Sequence, residues 1–192
     1  MLSLAVTSLN NALAVIEAFG QSELPLVEQA AGLIAKAFTQ EKKLVVFGNG
    51  GSAADAQHLA AELVNRFQFD RPPLPALALT TDTSLVTSIA NDFSFDEIFA
   101  KQIKGLCAKG DICLAISTSG RSANVVKGLV AARAKGMVTL GLTGRDGGDM
   151  ASLCDLVIRV PSDDTPRIQE VHALVIHLIC ELVDYTLFGR AK

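Results

Sequence analysis

The sequence lacks several features that would place it in a common functional class. Its 192 residues carry a formal net charge of −3 and no run of basic residues, so no basic surface for nucleic acid or an anionic membrane is predicted. Its four cysteines, Cys107, Cys113, Cys154 and Cys180, are scattered without CxxC spacing. This argues against a disulfide framework or a thiolate zinc site. Reduced, buried cysteines fit a cytoplasmic protein.

An export signal and a membrane span are also missing. The apolar N-terminus has no basic start and is interrupted by Asn10, Asn11 and Glu17, unlike a signal peptide. No stretch reaches the roughly 18 uninterrupted apolar residues of a membrane helix. Because 49% of the residues are hydrophobic, we expect the excess apolar surface to be buried between subunits of a homo-oligomer.

Five short apolar runs alternate with helical patterns and predict the fold class. Runs with little polar alternation are typical of parallel strands covered on both faces, and the length suits one core. We expect a single α/β domain over residues 1–192, with a doubly wound five-stranded parallel sheet. The predicted strands are Leu44–Phe47, Leu74–Leu79, Ile112–Ile116, Val138–Leu142 and Leu156–Val160.

Three helices are predicted outside this alternation, at about Leu4–Phe19, Pro25–Thr39 and Pro166–Leu187. The last of them is apolar around much of its circumference. The end of a monomer of this size cannot easily bury such a helix. We therefore expect the N- and C-terminal helices to pack between subunits.

Ligands of doubly wound sheets bind beyond the carboxyl ends of the strands, and two polar loops follow predicted strands there. The loop Gly48–Ser52 has three glycines, which permit positive φ and close approach of backbone N–H groups to an anion. An ordinary strand-to-helix turn explains it equally well. It does not match a nucleotide-binding pattern, so no nucleotide cofactor is expected. The loop Ser117–Ser122 has four hydroxyls, of which helix capping uses one, and it favours a phosphate site.

Histidine and glutamate side chains at helical spacing are the candidates for acid–base chemistry. His58 and Glu62 share one helix face and form either a surface pair or a base and metal ligand. For His177, among apolar neighbours, a core histidine is the default interpretation. Gln169 and His177 are about 12 Å apart along their helix. Unless long side chains narrow that gap, joint action requires a composite site, in which neighbouring subunits contribute Glu62 and His177.

Asn91 and Asp92 follow the crossover after the second strand. They fit contacts to sugar hydroxyls and, equally well, an Asx turn at the end of a helix.

In order along the chain, these motifs resemble the sugar isomerase (SIS) domain family, and within it the bacterial phosphoheptose isomerases. The resemblance covers nearly the whole chain. It implies a flavodoxin-like SIS fold and conversion of D-sedoheptulose 7-phosphate to D-glycero-D-manno-heptose 7-phosphate through an enediol(ate), the first step toward ADP- or GDP-heptose for lipopolysaccharide core. The six matching segments are Gly48–Ser52, His58–Leu63, Asn91–Phe93, Ser117–Asn124, Leu142–Gly148 and Arg167–His172.

The same resemblance implies roles for individual residues. Glu62 would be the general base and His177 the general acid. A homotetramer is implied, with one zinc ion per subunit held by His58, Glu62, Gln169 and His177. The implied substrate contacts are Asn49, Gly50, Gly51, Ser52, Glu62, Asn91, Asp92, Ser117, Thr118, Ser119, Ser122 and Gln169.

A non-catalytic SIS protein, such as the DnaA initiator-associating replication regulator, is the main alternative. The segment Tyr185–Phe188 resembles the ending of that regulator. The regulator lacks an acid at the position of Glu62 and a second histidine at that of His177, and this chain has both. A protein that only docks on a partner needs no acid–base pair, so we favour the enzyme.

Overall fold

The computed structural model describes residues 1–189, in which five parallel strands form one sheet. The order across the sheet is second, first, third, fourth and fifth strand. This is the flavodoxin-like order of a doubly wound fold, so the predicted fold class is confirmed. The strands are β1 (Leu44–Gly48), β2 (Ala76–Ala78), β3 (Ile112–Ser117), β4 (Val138–Gly144) and β5 (Leu156–Val160).

Helices cover both faces of the sheet and enclose two separate cores. Successive residues of β1 alternate between them: Leu44 and Val46 belong to one core, Val45 and Phe47 to the other, as the period of two in a strand requires. Helices α1, α2, α3 and α7 build the first core and α4, α5 and α6 the second. The helices are α1 (Leu2–Ser22), α2 (Leu24–Thr39), α3 (Gly51–Val64), α4 (Thr83–Asp92), α5 (Ile98–Leu106), α6 (Ala123–Ala134) and α7 (Thr165–Phe188).

Strand β2 is shorter than the predicted strand Leu74–Leu79. The N–H of Leu74 donates to the carbonyl of Leu63 at the end of α3, and Pro75 has no N–H to give to the ladder. The chain therefore enters the sheet only at Ala76. The other four predicted strands agree with the structure to within two residues at each end.

The helices α1 and α7 are both long and apolar enough, by length and composition, to cross a membrane, although polar residues interrupt both before an apolar run of roughly 18 residues is reached. In α7, 44% of the most apolar window is buried, against α1, α2 and α3. A little under half of this window is therefore covered within the chain, and packing of α7 between subunits stays a prediction. In α1 only 6% is buried, so α1 has the more exposed apolar surface. The exposed large hydrophobic residues of α1 are Leu2, Leu4, Val6, Leu9 and Leu13.

Candidate active site

The two polar loops lie next to each other at the carboxyl ends of β1 and β3, which are paired in the sheet. After β1 the chain crosses to the core that contains α3, and after β3 it crosses to the opposite core, which contains α6. This divergence is the topological switch point where doubly wound folds bind ligands. The fold therefore places both loops in one crevice.

The glycine-rich loop needs glycine at specific positions. Gly50 has φ of 55°, in the left-handed region that favours glycine. A Cβ on Gly48 would lie 2.6 Å from the carbonyl oxygen of Ile116 in β3. No side chain caps the N-terminus of α3, so its positive end is available to an anion.

A polar pocket of 170 Å³ lies between the two loops. Ser122 is the N-cap of α6 but makes no capping hydrogen bond. Its Oγ instead lies 3.3 Å from Oγ of Ser117. Helix capping therefore does not account for the hydroxyls of this loop, and they remain available to phosphate oxygens. The pocket is lined by Asn49, Ser52, Ile116, Ser117, Thr118, Ser119, Ser122 and Gln169.

The cation nearest in sequence to these hydroxyls does not line the pocket. Arg121 forms an exposed ion pair with Asp146, at 2.6 Å. The carbonyl of Gly120 accepts a hydrogen bond from the N–H of Met150, and a Cβ on Gly120 would collide with the carbonyl of Gly147. The loop is thus held by the segment after β4, and anion binding falls to hydroxyls and helix N-termini.

Asn124 is a residue whose role the sequence did not reveal. Its amide group exchanges two hydrogen bonds with the amide group of Asn49, at 2.8 and 2.9 Å. Asn124 is 2% exposed, and the pair joins the two loops that form the pocket. Because these bonds occupy one donor and one acceptor of Asn49, its side chain connects the loops in addition to lining the pocket.

The predicted acid–base residues converge in a second cluster within the same chain. Nε2 of His58 lies 3.3 Å from Oε1 of Glu62 and 3.4 Å from Nε2 of His177. The two imidazole rings meet edge to face, and the ring of Phe67 lies 5.6 Å from that of His177. The side chains of His58 and Glu62 are 39% and 26% exposed, so a ligand can reach them.

The default interpretation of His177 as a core histidine is wrong, because its residue is exposed. The core histidine of α7 is His172, which is fully buried. Neither ring nitrogen makes a hydrogen bond of normal geometry, and a contact with the backbone of Thr143 only partly opposes the effect of burial on its pKa. Burial lowers the pKa of His172 to about 4, so its ring is neutral at physiological pH. A short helical segment alone cannot distinguish the two, since both have apolar neighbours.

Asp55, one turn before His58 on α3, was also missed. Burial raises its pKa to about 6, and the charge of His58 opposes that rise. Its Oδ2 is buried without a hydrogen-bond partner. A carboxyl group of this kind beside an acid–base cluster is common in active sites.

Five predicted substrate contacts do not line the polar pocket: Gly50, Gly51, Glu62, Asn91 and Asp92. The side chains of Asn91 and Asp92 are exposed at the end of α4, where the amide of Asn91 donates to the carboxylate of Asp92 at 2.9 Å. Neither lines the pocket between the loops. Gly50 lines an adjoining pocket of 160 Å³, and Gly51 lies directly against the amide of Gln169.

The predicted zinc ligands only partly fit a metal ion in this conformation. Tetrahedral zinc with bonds near 2.0–2.1 Å requires ligand atoms about 3.3 Å apart, which matches the His58–His177 and His58–Glu62 distances. Glu62 and His177 form no ion pair with each other, and in residues 1–189 no group of three or more His, Cys, Asp or Glu side chains is arranged to hold a metal. Zinc therefore stays a prediction.

Comparisons with known proteins identify the family. The SIS domain model matches residues 9–144. A phosphoheptose isomerase from Chromohalobacter salexigens is 58% identical over 171 residues, covering 88% of this chain and 87% of the relative.

Two solved structures have the same fold over almost their whole length. A phosphoheptose isomerase from Francisella tularensis superposes with a TM-score of 0.93 at 35% identity, covering 95% of this chain and 97% of that one. The phosphoheptose isomerase of Neisseria gonorrhoeae gives 0.90 at 40% identity, covering 96% and 99%. The chain therefore belongs to the SIS domain family, among the phosphoheptose isomerases.

Proposed function

We propose that the chain is an aldose–ketose isomerase that converts D-sedoheptulose 7-phosphate to D-glycero-D-manno-heptose 7-phosphate. The observation that carries the proposal is the convergence of His58, Glu62 and His177 in an accessible cluster, together with the hydroxyl-lined pocket. A replication regulator has no use for such an acid–base cluster, and relatives with 50–58% identity are phosphoheptose isomerases.

The chemistry requires one group that moves a proton between carbons and one that moves protons between oxygens. Glu62 takes the proton from C1 of the ketose, which gives the enediol(ate), and returns it to C2. His177 protonates the oxygen on C2 as the carbonyl is lost and accepts the proton from the oxygen on C1. Each group contributes on the order of 10²- to 10⁴-fold to the rate. The pocket hydroxyls hold the phosphate in ground and transition states alike.

Zinc is part of the proposal as a bound group, one ion per subunit. His58, Glu62 and His177 would hold it, joined by Gln169, and two of the required spacings are present. When bound, a zinc ion polarises a carbonyl group as a Lewis acid. Titration with Zn²⁺ by calorimetry, in wild type and His58→Ala, tests this directly: equal affinity in both would exclude these ligands.

A homotetramer with composite active sites is the proposed assembly, in the cytoplasm. The apolar surface of α1, which the chain itself leaves open, supplies the contact between copies. Gln169 lines the pocket between the loops, whereas His177 belongs to the acid–base cluster about 12 Å further along α7. We infer that the pocket of one subunit faces the cluster of another. The product would serve nucleotide-activated heptose synthesis for lipopolysaccharide core.

This arrangement changes the expected complementation between inactive variants. Glu62 and His177 both contact His58 in one chain, which favours a site to which one subunit contributes both residues. Heteromers of Glu62→Gln with His177→Gln should therefore show no rescue. Heteromers of Glu62→Gln with a Ser119→Ala/Gln169→Ala variant should regain part of the activity, since one site in each pair is intact. Rescue by the first pair but not the second would contradict the arrangement.

The function itself is tested by incubating the protein with sedoheptulose 7-phosphate and following the aldose product by NMR. Glu62→Gln and His177→Gln should abolish turnover while circular dichroism and phosphosugar binding stay close to wild type. Turnover at near wild-type rate in either variant refutes the assigned roles, and no product from wild type refutes the function.

A further inference from the structure

A buried ion pair joins the two helices that carry the acid–base cluster. Nε of Arg71 lies 2.7 Å from Oδ1 of Asp184, and their side chains are 1% and 3% exposed. Arg71 follows α3, and Asp184 lies on α7. A buried pair of this kind rarely adds much stability over apolar residues of similar size, so its presence calls for another explanation.

Arg71 also donates to three backbone carbonyls, those of Glu62, Leu63 and Pro72. Its guanidinium donates to the backbone carbonyl of Glu62 at 2.9 Å and to that of Leu63 at 2.7 Å. These are carbonyls in the last turn of α3, which no helical N–H satisfies. One planar group therefore fixes the backbone of Glu62 and, through Asp184, attaches it to α7.

On α7 the ion pair lies on the same side of the helix as His177, the proposed general acid. Asp184 is seven residues after His177, which is two helical turns, so the two lie on nearly the same side of the helix. His177 contacts His58, and His58 contacts Glu62. Helices α3 and α7 are therefore connected at two places. The imidazole rings of His58 and His177 connect them at the acid–base cluster, and the ion pair of Arg71 and Asp184 connects them two turns further along α7.

We propose that Arg71 and Asp184 are positioning residues, which set the distance between Glu62 and His177 for proton transfer. This rests on the proposed isomerase function. Neither residue touches substrate. A shift of about 1 Å between catalytic groups costs on the order of 10²-fold in rate, so loss of the pair should lower kcat and change KM by no more than about threefold.

The decisive variant is Arg71→Met/Asp184→Leu, which replaces the pair with apolar residues of similar size. Such a replacement restores the stability that either single change removes. If the pair positions the cluster, the thermal midpoint of the double variant returns to near wild type while kcat stays about 10²-fold lower. If the double variant regains both the midpoint and kcat, the pair is only structural and the proposal is overturned.

A matched control comes from the opposite end of the strands, at the amino ends of β1 and β3. Lys43 and Asp111, which precede β1 and β3, form an ion pair at 2.6 Å with the carboxylate 3% exposed. Lys43→Met leaves a buried carboxylate without its cation, as Arg71→Met does. It should lower the midpoint and leave kcat unchanged.

Two further variants cover the case in which Arg71→Met does not fold. Asp184→Asn keeps the shape of the side chain and removes its charge, and Arg71→Lys keeps the charge but cannot reach a carboxylate and two carbonyls together. Both should fold with kcat reduced on the order of 10-fold. Wild-type kcat in both would overturn the proposal.

The imidazole ¹H–¹⁵N signals of the protein separate failure of this proposal from failure of the function. The signals of His58 and His177 should move in Arg71→Met/Asp184→Leu and remain in place in Lys43→Met. His172, on the same helix but facing the core, serves as internal reference. If wild type shows no isomerase activity, the proposed function fails. Unmoved signals of His58 and His177 then reject the positioning role of Arg71 and Asp184 as well.

Discussion

His172 should make the folded protein sensitive to acid, because the folded state cannot accept a proton that the unfolded chain accepts. Burial lowers its pKa from 6.5 to about 4. Between these two values the unfolded chain binds more protons than the folded one, so the free energy of unfolding decreases as the pH falls. Above pH 6.5 the ring is neutral in both states and has no effect.

The size of the effect follows from the shift. One pKa unit corresponds to about 1.4 kcal/mol, so a shift of this size amounts to about 3 kcal/mol, lost by pH 4. That is a large fraction of the 5–15 kcal/mol typical of a folded domain. His172 is fully buried, so solvent screening does not reduce this figure.

The test compares wild type with His172→Leu by urea unfolding at several pH values and one protein concentration. The ring of His172 has a backbone contact with Thr143 that opposes the fall in its pKa, although neither ring nitrogen makes a hydrogen bond of normal geometry. Leucine therefore removes at most one weak hydrogen bond and should lower stability at pH 7 by no more than about 1 kcal/mol. The difference between the two proteins should grow by about 3 kcal/mol between pH 6.5 and pH 4. Ile179→Val, at another buried position of α7, should lower stability by a constant amount at every pH. A constant difference for His172→Leu as well would refute the reasoning.

Three substitutions in the pocket give further predictions, each checked by steady-state kinetics on sedoheptulose 7-phosphate. Ser119→Ala should mainly raise KM, because phosphate is held similarly in ground and transition states; an effect on kcat alone would contradict this. Gly51→Ala should displace Gln169, against which its Cβ would collide, and lower kcat/KM on the order of 10-fold or more; wild-type kinetics would show that Gln169 has no role. Asn124→Leu should leave the amide of Asn49 unpaired and weaken competitive inhibition by inorganic phosphate on the order of 10-fold, and unchanged inhibition would exclude the amide pair as a support of the pocket.

The sheet and the position of the site could be predicted from the sequence because the same local signals set both. Buried parallel strands are short apolar runs with polar loops behind them, and the loops after β1 and β3 meet wherever those strands pair. The first residue of β2, in contrast, depended on a contact with a residue outside the strand. Its first predicted residue, Leu74, bonds to the end of α3, and no local pattern contains that partner.

The hydrogen-bond partners of polar side chains could not be predicted from the local sequence either. Asn49 and Asn124 are 75 residues apart, and Arg71 and Asp184 are 113 residues apart. Each pair is in contact only because the crossovers bring two loops or two helices together. In the same way, sequence shows that α1 and α7 are apolar, whereas only the packing shows that the chain covers nearly half of α7 and very little of α1.

Helix α7 shows how one structural fact extends what the sequence predicts. Helical spacing places His177 about 140° from His172 and Asp184 within about 20° of His177, but it does not say which direction faces the core. Once His172 is known to be buried, His177 must face away from that core, and Asp184 should be exposed beside it. His177 is exposed, yet Asp184 is 2% exposed. Arg71 accounts for the difference, because its guanidinium group pairs with Asp184 inside the protein. The burial of Asp184 is therefore a consequence of the ion pair that connects α7 to the backbone of Glu62.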